Sequence, residues 1–366
     1  MTRRVEAPID ALDVSVYRIP TDQPESDGTL AWDSTTLVIV ELAAAGEHGL
    51  GFTYADTATA TLIRDVLGEV VIGRDALSIE GTWQAMVHAI RNLGRAGIAS
   101  MAIAAVDVAL WDLKAKILDL SLLGLLGGVR NTVPVYGSGG FTSYDVTTLQ
   151  RQLSGWVDNG IPRVKMKIGT HPDADCDRVG AARQAIGPAA QLFVDANGAY
   201  SRKQALEFAE RFTAFEVTWF EEPVSSDDLT GLCLIRDQGP AGVDIAAGEY
   251  GYTTWYFREM LEAGAVDVLQ ADASRCAGIS GFLKVAALCE AFHLPLSAHC
   301  APSLHAQLGC ACQCVRHLEY FHDHTRIEHM LFDGALVPES GELRPDLSRP
   351  GLGLQFKHSE AERYAL

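Results

Sequence analysis

Absences narrow the reading of this 366-residue chain before any motif is considered. It has no excess of positive charge: 29 Lys and Arg stand against 47 Asp and Glu, a net charge of −18. Such a surface repels phosphate backbones and anionic bilayers, which argues against a nucleic-acid or membrane partner. An apolar run of membrane-spanning length is also missing, since Ser100 and Asp107 interrupt the most hydrophobic stretch, Ile98–Leu110. The charged segment Met1 to Asp10 has no signal-peptide core. There is no CxxC pair. The eight cysteines (176, 233, 276, 289, 300, 310, 312 and 314) therefore read as reduced, mostly buried thiols, and the expected compartment is cytoplasmic. Cys310, Cys312 and Cys314 alternate, but the intervening Ala311 and Gln313 add no ligand that would make them a metal site.

What is present divides the chain in two. Leu12–Tyr17, Leu37–Leu42 and Gly49–Tyr54 have strand character, with a long polar loop, Thr21–Trp32, between the first two. Helical periodicity follows at Thr57–Val71, Ile79–Leu93 and Ile98–Leu118. The last of these carries a sparse polar stripe, Asp107, Asp112, Lys114 and Lys116, on an otherwise apolar surface. An α+β unit over residues 1–128 is predicted, closing at Leu126-Gly127-Gly128. From Val133 short apolar runs alternate with amphipathic stretches: Val133–Tyr136, Arg163–Ile168, Gln191–Val194, Val217–Phe220, Val243–Ala247, Val266–Gln270 and Leu294–Ala298. Repeated βα units at this spacing predict a (β/α) barrel over residues 129–335. The Pro- and Gly-rich tail, 336–366, is predicted to pack back on the first unit.

The ionisable residues sit at the ends of these runs. From Lys167 the steps to Asp195, Glu221, Glu249, Asp272, His299 and Glu319 are 28, 26, 28, 23, 27 and 20 residues, about one βα unit each. In a barrel, that spacing puts them all on the rim at the carboxyl ends of the strands, where barrel enzymes hold their chemistry. Strand alternation sends Lys165 and Lys167 to one face, and Glu221 to the face of Trp219 and Val217, away from Glu222. Asp195, Glu221 and Glu249 converge as three hard oxygen ligands suited to Mg²⁺, and no His or Cys among them favours zinc. Asp272 can fix one imidazole nitrogen of His299 and leave the other for proton transfer. A buried lysine near a second ammonium and a metal ion becomes a usable base. Each residue alone has a plainer role: a solvated strand edge for Lys-Xaa-Lys, a helix cap for Asp195 or Asp272, a core histidine for His299. Their joint spacing is what argues for a site.

Val164-Lys165-Met166-Lys167, Val194-Asp195-Ala196-Asn197, Phe220-Glu221-Glu222-Pro223, Ala247-Gly248-Glu249, Gln270-Ala271-Asp272 and Ser297-Ala298-His299 resemble, in order, the active-site motifs of the mandelate racemase subgroup of the enolase superfamily. Val106 to Leu113, followed by Leu126-Gly127-Gly128, is similar to the signature preceding their barrel. The resemblance implies an α/β fold, a modified (β/α)7β TIM barrel with an N-terminal α+β capping domain, and a homo-oligomer. It implies that Lys167 and His299 are the acid/base pair, with Asp272 supporting His299. Asp195, Glu221 and Glu249 would hold Mg²⁺ with Asn197 alongside, and Lys165 and Glu319 would meet the substrate carboxylate or the enolate. The loop Thr21–Trp32 would close the barrel mouth, making Trp32 and Tyr54 specificity contacts, and His305 is a further candidate to touch substrate. His322, His324 and His329 read as loop or surface. The absence of a lysine from Ala271 to Arg275 argues against the muconate cycloisomerase type. The expected activity is Mg²⁺-dependent removal of the proton alpha to a carboxylate, giving an enediolate. Acid-sugar dehydration ranks ahead of 2-hydroxy-acid racemisation or epimerisation and of cycloisomerisation. A non-catalytic protein binding Mg²⁺ and an acid ligand is the alternative from another class.

Overall fold

The computed structural model describes residues 6–366, so Met1 to Val5 of the charged N-terminal segment lie outside the described residues. The capping unit is a three-stranded antiparallel meander, β1 (Ala11–Ser26), β2 (Ala31–Ala44) and β3 (Glu47–Tyr54). Behind it pack α1 (Thr57–Leu62), α2 (Gly68–Val71), α3 (Ile79–Ala89), α4 (Ile98–Ile117) and the short α5 (Leu122–Leu126). A π-helical turn, Ile63–Leu67, joins α1 to α2, so the periodic stretch Thr57–Val71 is one helix with an inserted residue.

The predicted polar loop Thr21–Trp32 is not a loop. β1 and β2 run on as a hairpin to residues 26 and 31, closed by a turn in which the Asp27 carboxylate accepts the N–H groups of Thr29 and Leu30 (both 2.7 Å). Pairing slips between Pro20 and Glu25: five steps along β1 face two along β2, from Ser34 to Trp32. The extra residues on β1 form a bulge that bends the hairpin. Polarity concealed these strands because they leave the capping core and pair with each other over the barrel, not within a two-sided sheet.

α4 lies against β3 at backbone distance. A Cβ at Gly51 would stand 2.0 Å from the Ala105 carbonyl oxygen, so only glycine permits this approach. The small residues Ala102, Ala105 and Ala109 of α4 are fully buried. The polar stripe on this helix is equally buried, and it ties the units together. Asp107 accepts from the Ser280 N–H (2.8 Å) and hydroxyl (2.7 Å). Asp112 accepts from Leu50 N–H (2.7 Å) and Leu352 N–H (2.6 Å) and pairs with Lys116 (2.7 Å).

The second unit alternates strand and helix: β4 (Val133–Gly139), α6 (Val146–Asp158), β5 (Arg163–Lys167), α7 (Pro172–Ile186), β6 (Gln191–Asp195), α8 (Arg202–Phe212), β7 (Val217–Glu221), α9 (Leu229–Gln238), β8 (Asp244–Ala247), α10 (Thr254–Glu262), β9 (Val268–Ala271), α11 (Gly278–Phe292), β10 (Leu296–Ala298), α12 (Pro302–Ala311) and β11 (Val315–Phe321). The eight strands are parallel, and β11 pairs with β4 to close the barrel. Tyr136, Phe193, Trp219, Ala246 and Val268 point inward and plug it, with the Phe193 and Trp219 rings stacked at 5.3 Å. After β11 come α13 (His322–Leu331), β12 (Phe332–Asp333), β13 (Glu342–Leu343), β14 (Gln355–Phe356) and α14 (His358–Ala361). Leu366 N–H reaches the Val16 carbonyl (3.0 Å), so the tail touches the capping sheet. Among the described residues no helix is long and apolar enough to cross a membrane.

Candidate active site

Strand register brings the rim residues together. Lys167 pairs in register with Asp195, and Asp195 with Glu221, because β5, β6 and β7 are parallel neighbours of equal length. Lys165 is fully enclosed: its Nζ lies 2.5 Å from Glu221 Oε1, 2.8 Å from Glu319 Oε1 and 3.2 Å from Asp195 Oδ2. Lys167 Nζ donates to Asp195 Oδ2 (2.5 Å) and Asn197 Oδ1 (3.0 Å). Trp219, two residues before Glu221 on the same face, donates its indole N–H to Glu221 Oε2 (2.9 Å). One carboxylate oxygen from each of Asp195, Glu221 and Glu249 lies within 4.8 Å of the others, and all three residues are buried.

On the other side of this triad, His299 shares a hydrogen bond through Nδ1 with Asp272 Oδ2 (2.9 Å). The second Asp272 oxygen accepts from Ser274 N–H and hydroxyl (both 2.7 Å), so the carboxylate is locked. His299 Nε2 is left facing Glu249 Oε2 (3.2 Å), Cys300 Sγ (3.3 Å) and Glu319 Oε2 (3.6 Å). Glu319 lies two residues before the end of β11, where Ser138 donates to its Oε1 (2.5 Å).

Electrostatics follow from five buried carboxylates, Asp195, Glu221, Glu249, Asp272 and Glu319, facing three basic groups, Lys165, Lys167 and His299. Burial opposes ionisation everywhere, but the charges of Asp195 and its neighbours outweigh it for Lys167, which is held above its usual range. Burial lowers His299, yet it too ends well above its usual range, because Cys300, Glu249 and Glu319 face it. The Cys300 thiol is pushed up by burial and by Glu319, so it is neutral. Burial and then Asp195 push Glu221 up to about 8. Burial would raise Asp272, but the hydrogen bond and charge of His299 hold it below the carboxylate range.

One pocket opens over this floor. Lys167, Asn197, Glu249, His299 and Glu319 form its base, and Trp32, Ser34, Thr35, Thr36 and Tyr54 of the capping sheet form its roof. The roof is seated by the hairpin turn. The hydroxyls of Thr142 and Thr170 donate to the Asp27 carbonyl (2.9 and 2.6 Å), and Thr29 to the Asn197 carbonyl (3.4 Å). A Cβ at Gly28 would stand 2.3 Å from the Ala196 carbonyl oxygen.

Two expectations need correction. His305 does not line the pocket: it is fully buried, with Nδ1 at 2.7 Å from the Cys300 carbonyl and Nε2 accepting the Ala273 N–H (2.9 Å), so it braces two strand-end loops from below. His324 is not a surface residue. β11 ends at Phe321, and the first turn of α13 stacks the His324 ring on Tyr54 (3.5 Å, 18°) in the pocket wall. His322 and His329, by contrast, lie apart from that wall, near Asp22 (3.0 Å) and Tyr320 (3.1 Å) respectively. Arg275, Tyr250 and Cys300 line the pocket and were missed. Arg275 sits three residues after Asp272 and packs over the Tyr250 ring (5.4 Å), a placement that strand spacing alone could have suggested. The Cys310, Cys312 and Cys314 thiols form no metal-ligating group among the described residues.

Residues 13–127 match the family described as mandelate racemase / muconate lactonizing enzyme, N-terminal domain, and residues 148–361 match the enolase C-terminal domain-like family. A mandelate racemase/muconate lactonizing enzyme-like protein from Rubrobacter xylanophilus is 54 % identical, with a TM-score of 0.96 over 98 % of this chain and 100 % of that one. The 3,6-anhydro-alpha-L-galactonate cycloisomerase of Streptomyces coelicolor is 34 % identical over 98 % of this chain and 99 % of its own length. L-Talarate dehydratase from Polaromonas sp. JS666, complexed with Mg and L-glucarate, is 31 % identical over 98 % of each chain, with a TM-score of 0.90. With both domains matched and the rim residues converging on one pocket, this chain belongs to the mandelate racemase/muconate lactonizing enzyme group of the enolase superfamily.

Proposed function

We propose that this protein is a Mg²⁺-dependent enzyme that removes the proton alpha to the carboxylate of an acid sugar and then expels a β-hydroxyl, an acid-sugar dehydratase. The observation that carries the reading is the placement of Lys167 and His299 on opposite sides of the Asp195, Glu221 and Glu249 triad, both facing one pocket. Dehydration is favoured over a plain 2-hydroxy-acid reaction by the polar roof that Ser34, Thr35, Thr36 and Tyr54 give the pocket, which suits a hydroxylated substrate. The Polaromonas L-talarate dehydratase supports the same class.

The donor set fits Mg²⁺. Three buried carboxylates within 4.8 Å repel one another, and Lys165 and Lys167 on one side and His299 and Arg275 on the other offset them in part. Asp195, Glu221 and Glu249 would hold Mg²⁺, whose positive charge would acidify the α-proton and lower the basicity of Lys167. Lys167, once it has given up a proton and is a neutral amine, would accept the α-proton at Nζ, with Asn197 orienting it. Lys165, locked by Glu221 and Glu319, presents a fixed positive charge to the growing enediolate. His299, held by Asp272 at Nδ1 and kept as an imidazolium, donates from Nε2 to the departing hydroxyl.

A second outcome, cycloisomerisation, is favoured by the full-length likeness to the Streptomyces cycloisomerase. The missing sixth-strand lysine bears only on the muconate type. Cycloisomerisation keeps the same first step but retains the leaving oxygen within the product. A homo-oligomer in the cytosol belongs to the same reading, supported by the family and by eight unpaired cysteines.

The test is incubation with Mg²⁺ in D₂O against acid sugars, their lactones and anhydro forms, following α-proton exchange and product mass. Exchange that EDTA abolishes, with a 2-keto product lighter by one water, supports dehydration. A product of unchanged mass moves the reading to cycloisomerase or epimerase. Exchange insensitive to EDTA would overturn the metal-dependent mechanism.

A further inference from the structure

A second group of metal-ligating side chains lies outside the floor of the barrel. One ligand atom each of Asp22, Glu25 and His322 falls within 4.8 Å of the others. Asp22 and Glu25 are on the bulge of β1, and His322 opens α13 directly after the eighth barrel strand. The group therefore spans the joint between capping hairpin and barrel.

Acidic residues near a histidine commonly form nothing more than an ion pair, and His322 Nε2 does face both Asp22 oxygens (3.0 and 3.2 Å). Glu25 makes this cluster different. It is 1 % exposed; its Oε2 accepts the Trp32 indole N–H (2.8 Å), and its Oε1 is buried with no hydrogen-bond partner among the described residues. A buried carboxylate oxygen left without a donor is costly unless a proton or a cation meets it. Arg326, the nearby cation, is engaged elsewhere, with Asp323 (2.6 Å) and the Pro20 carbonyl (2.6 Å).

We propose that Asp22, Glu25 and His322 form a second divalent-cation site, of zinc type, that fastens the capping hairpin to the barrel beside the active-site roof. One imidazole nitrogen and two carboxylate oxygens suit Zn²⁺ better than Mg²⁺, which prefers oxygen alone. Ligands of one such ion stand roughly 3–4 Å apart, close to the present spacing. Asp22 is partly exposed, so the remaining coordination position opens to water. Because Glu25 also holds Trp32, an ion here stiffens the pocket wall without touching the Asp195 triad.

The experiment is calorimetric titration of Zn²⁺ into the full-length protein already saturated with Mg²⁺, with melting temperature as the second readout. The native protein is expected to bind one Zn²⁺ per chain and to melt higher. His322→Gln and, separately, the half-exposed Asp22→Asn are expected to lose both effects while still melting cooperatively. Cys300→Ser is the control, because His299, Cys300 and Glu319 also cluster at the barrel floor. Loss of the Zn²⁺ equivalent in Cys300→Ser with retention in His322→Gln would place the ion on the floor and overturn the proposal. Absence of any Zn²⁺ binding beside Mg²⁺ would overturn it as well, leaving Glu25 a protonated carboxylic acid.

Discussion

The floor and the roof of the pocket are built by different physics. The floor is made of strand ends whose side chains are aimed by period-two alternation and by parallel register, so Lys167, Asp195 and Glu221 stand in one row. Its charges neutralise one another at 2.5–3.2 Å in near-complete burial. The roof is a hairpin from another unit, held by separate hydrogen bonds at its turn (Thr142 and Thr170 on the Asp27 carbonyl), at its flanks (Ser143 on the Pro24 carbonyl, Arg326 on the Pro20 carbonyl, Thr35 on Asp323), and by one glycine pressed on the rim. A floor of this kind resists deformation and suits proton transfer. A roof joined by separate hydrogen bonds and not by a continuous sheet can vary in what it recognises.

The sharpest way to separate the two is Lys167→Ala. Removing a floor base is expected to lower turnover by roughly 10²–10⁴-fold and to abolish α-proton exchange in D₂O. Mg²⁺ binding, read by calorimetry, persists because Asp195, Glu221 and Glu249 remain. Loss of Mg²⁺ binding together with activity would instead show Lys167 to be chiefly structural.

Gly28→Ala tests the roof. The new methyl group meets the Ala196 carbonyl at 2.3 Å, and relieving it costs about 1–3 kcal/mol of closure. KM is expected to rise roughly tenfold, with exchange at saturating substrate largely kept. A fall in kcat alone would mean that the hairpin positions the chemistry as well as the substrate.

The smallest expected effect concerns the tie between capping unit and barrel away from the pocket. Burial, only partly offset by the Ser280 bonds, pushes Asp107 up to about 7. Its folded value thus lies above its unfolded one. The associated stability is present below the unfolded value and is lost as pH rises through about 7. The melting temperature of the native protein should fall more steeply over that window than that of Asp107→Asn, which keeps an oxygen for the Ser280 N–H. Parallel curves would show that the carboxyl is already ionised in the fold.

The floor was legible because it obeys local rules. Lys165 and Lys167 two apart, and acids one βα unit apart, require a common rim in any closed parallel barrel. The roof was not. The stretch Thr21–Trp32 is polar enough to read as a loop, and only its docking on Asn197, Thr142 and Thr170 shows why it extends as a hairpin. His324 was misplaced because it lies in the polar run His322 to Arg326, which reads as surface when taken alone. The ring enters the wall only when α13 turns it onto Tyr54. His305 was misplaced for the converse reason: helical position puts it near the rim, but both its nitrogens are consumed by loop backbone.

The amino-acid sequence by itself determined the two-unit architecture, the order of the strands and the set of ionisable residues at their ends, since periodicity and spacing are local properties of the chain. Only the tertiary structure decided which groups share a wall with them. Arg275, Cys300 and His324 enter the pocket, and one oxygen of Glu25, Oε1, is left without a donor, through contacts between residues up to hundreds of positions apart, which no local pattern encodes.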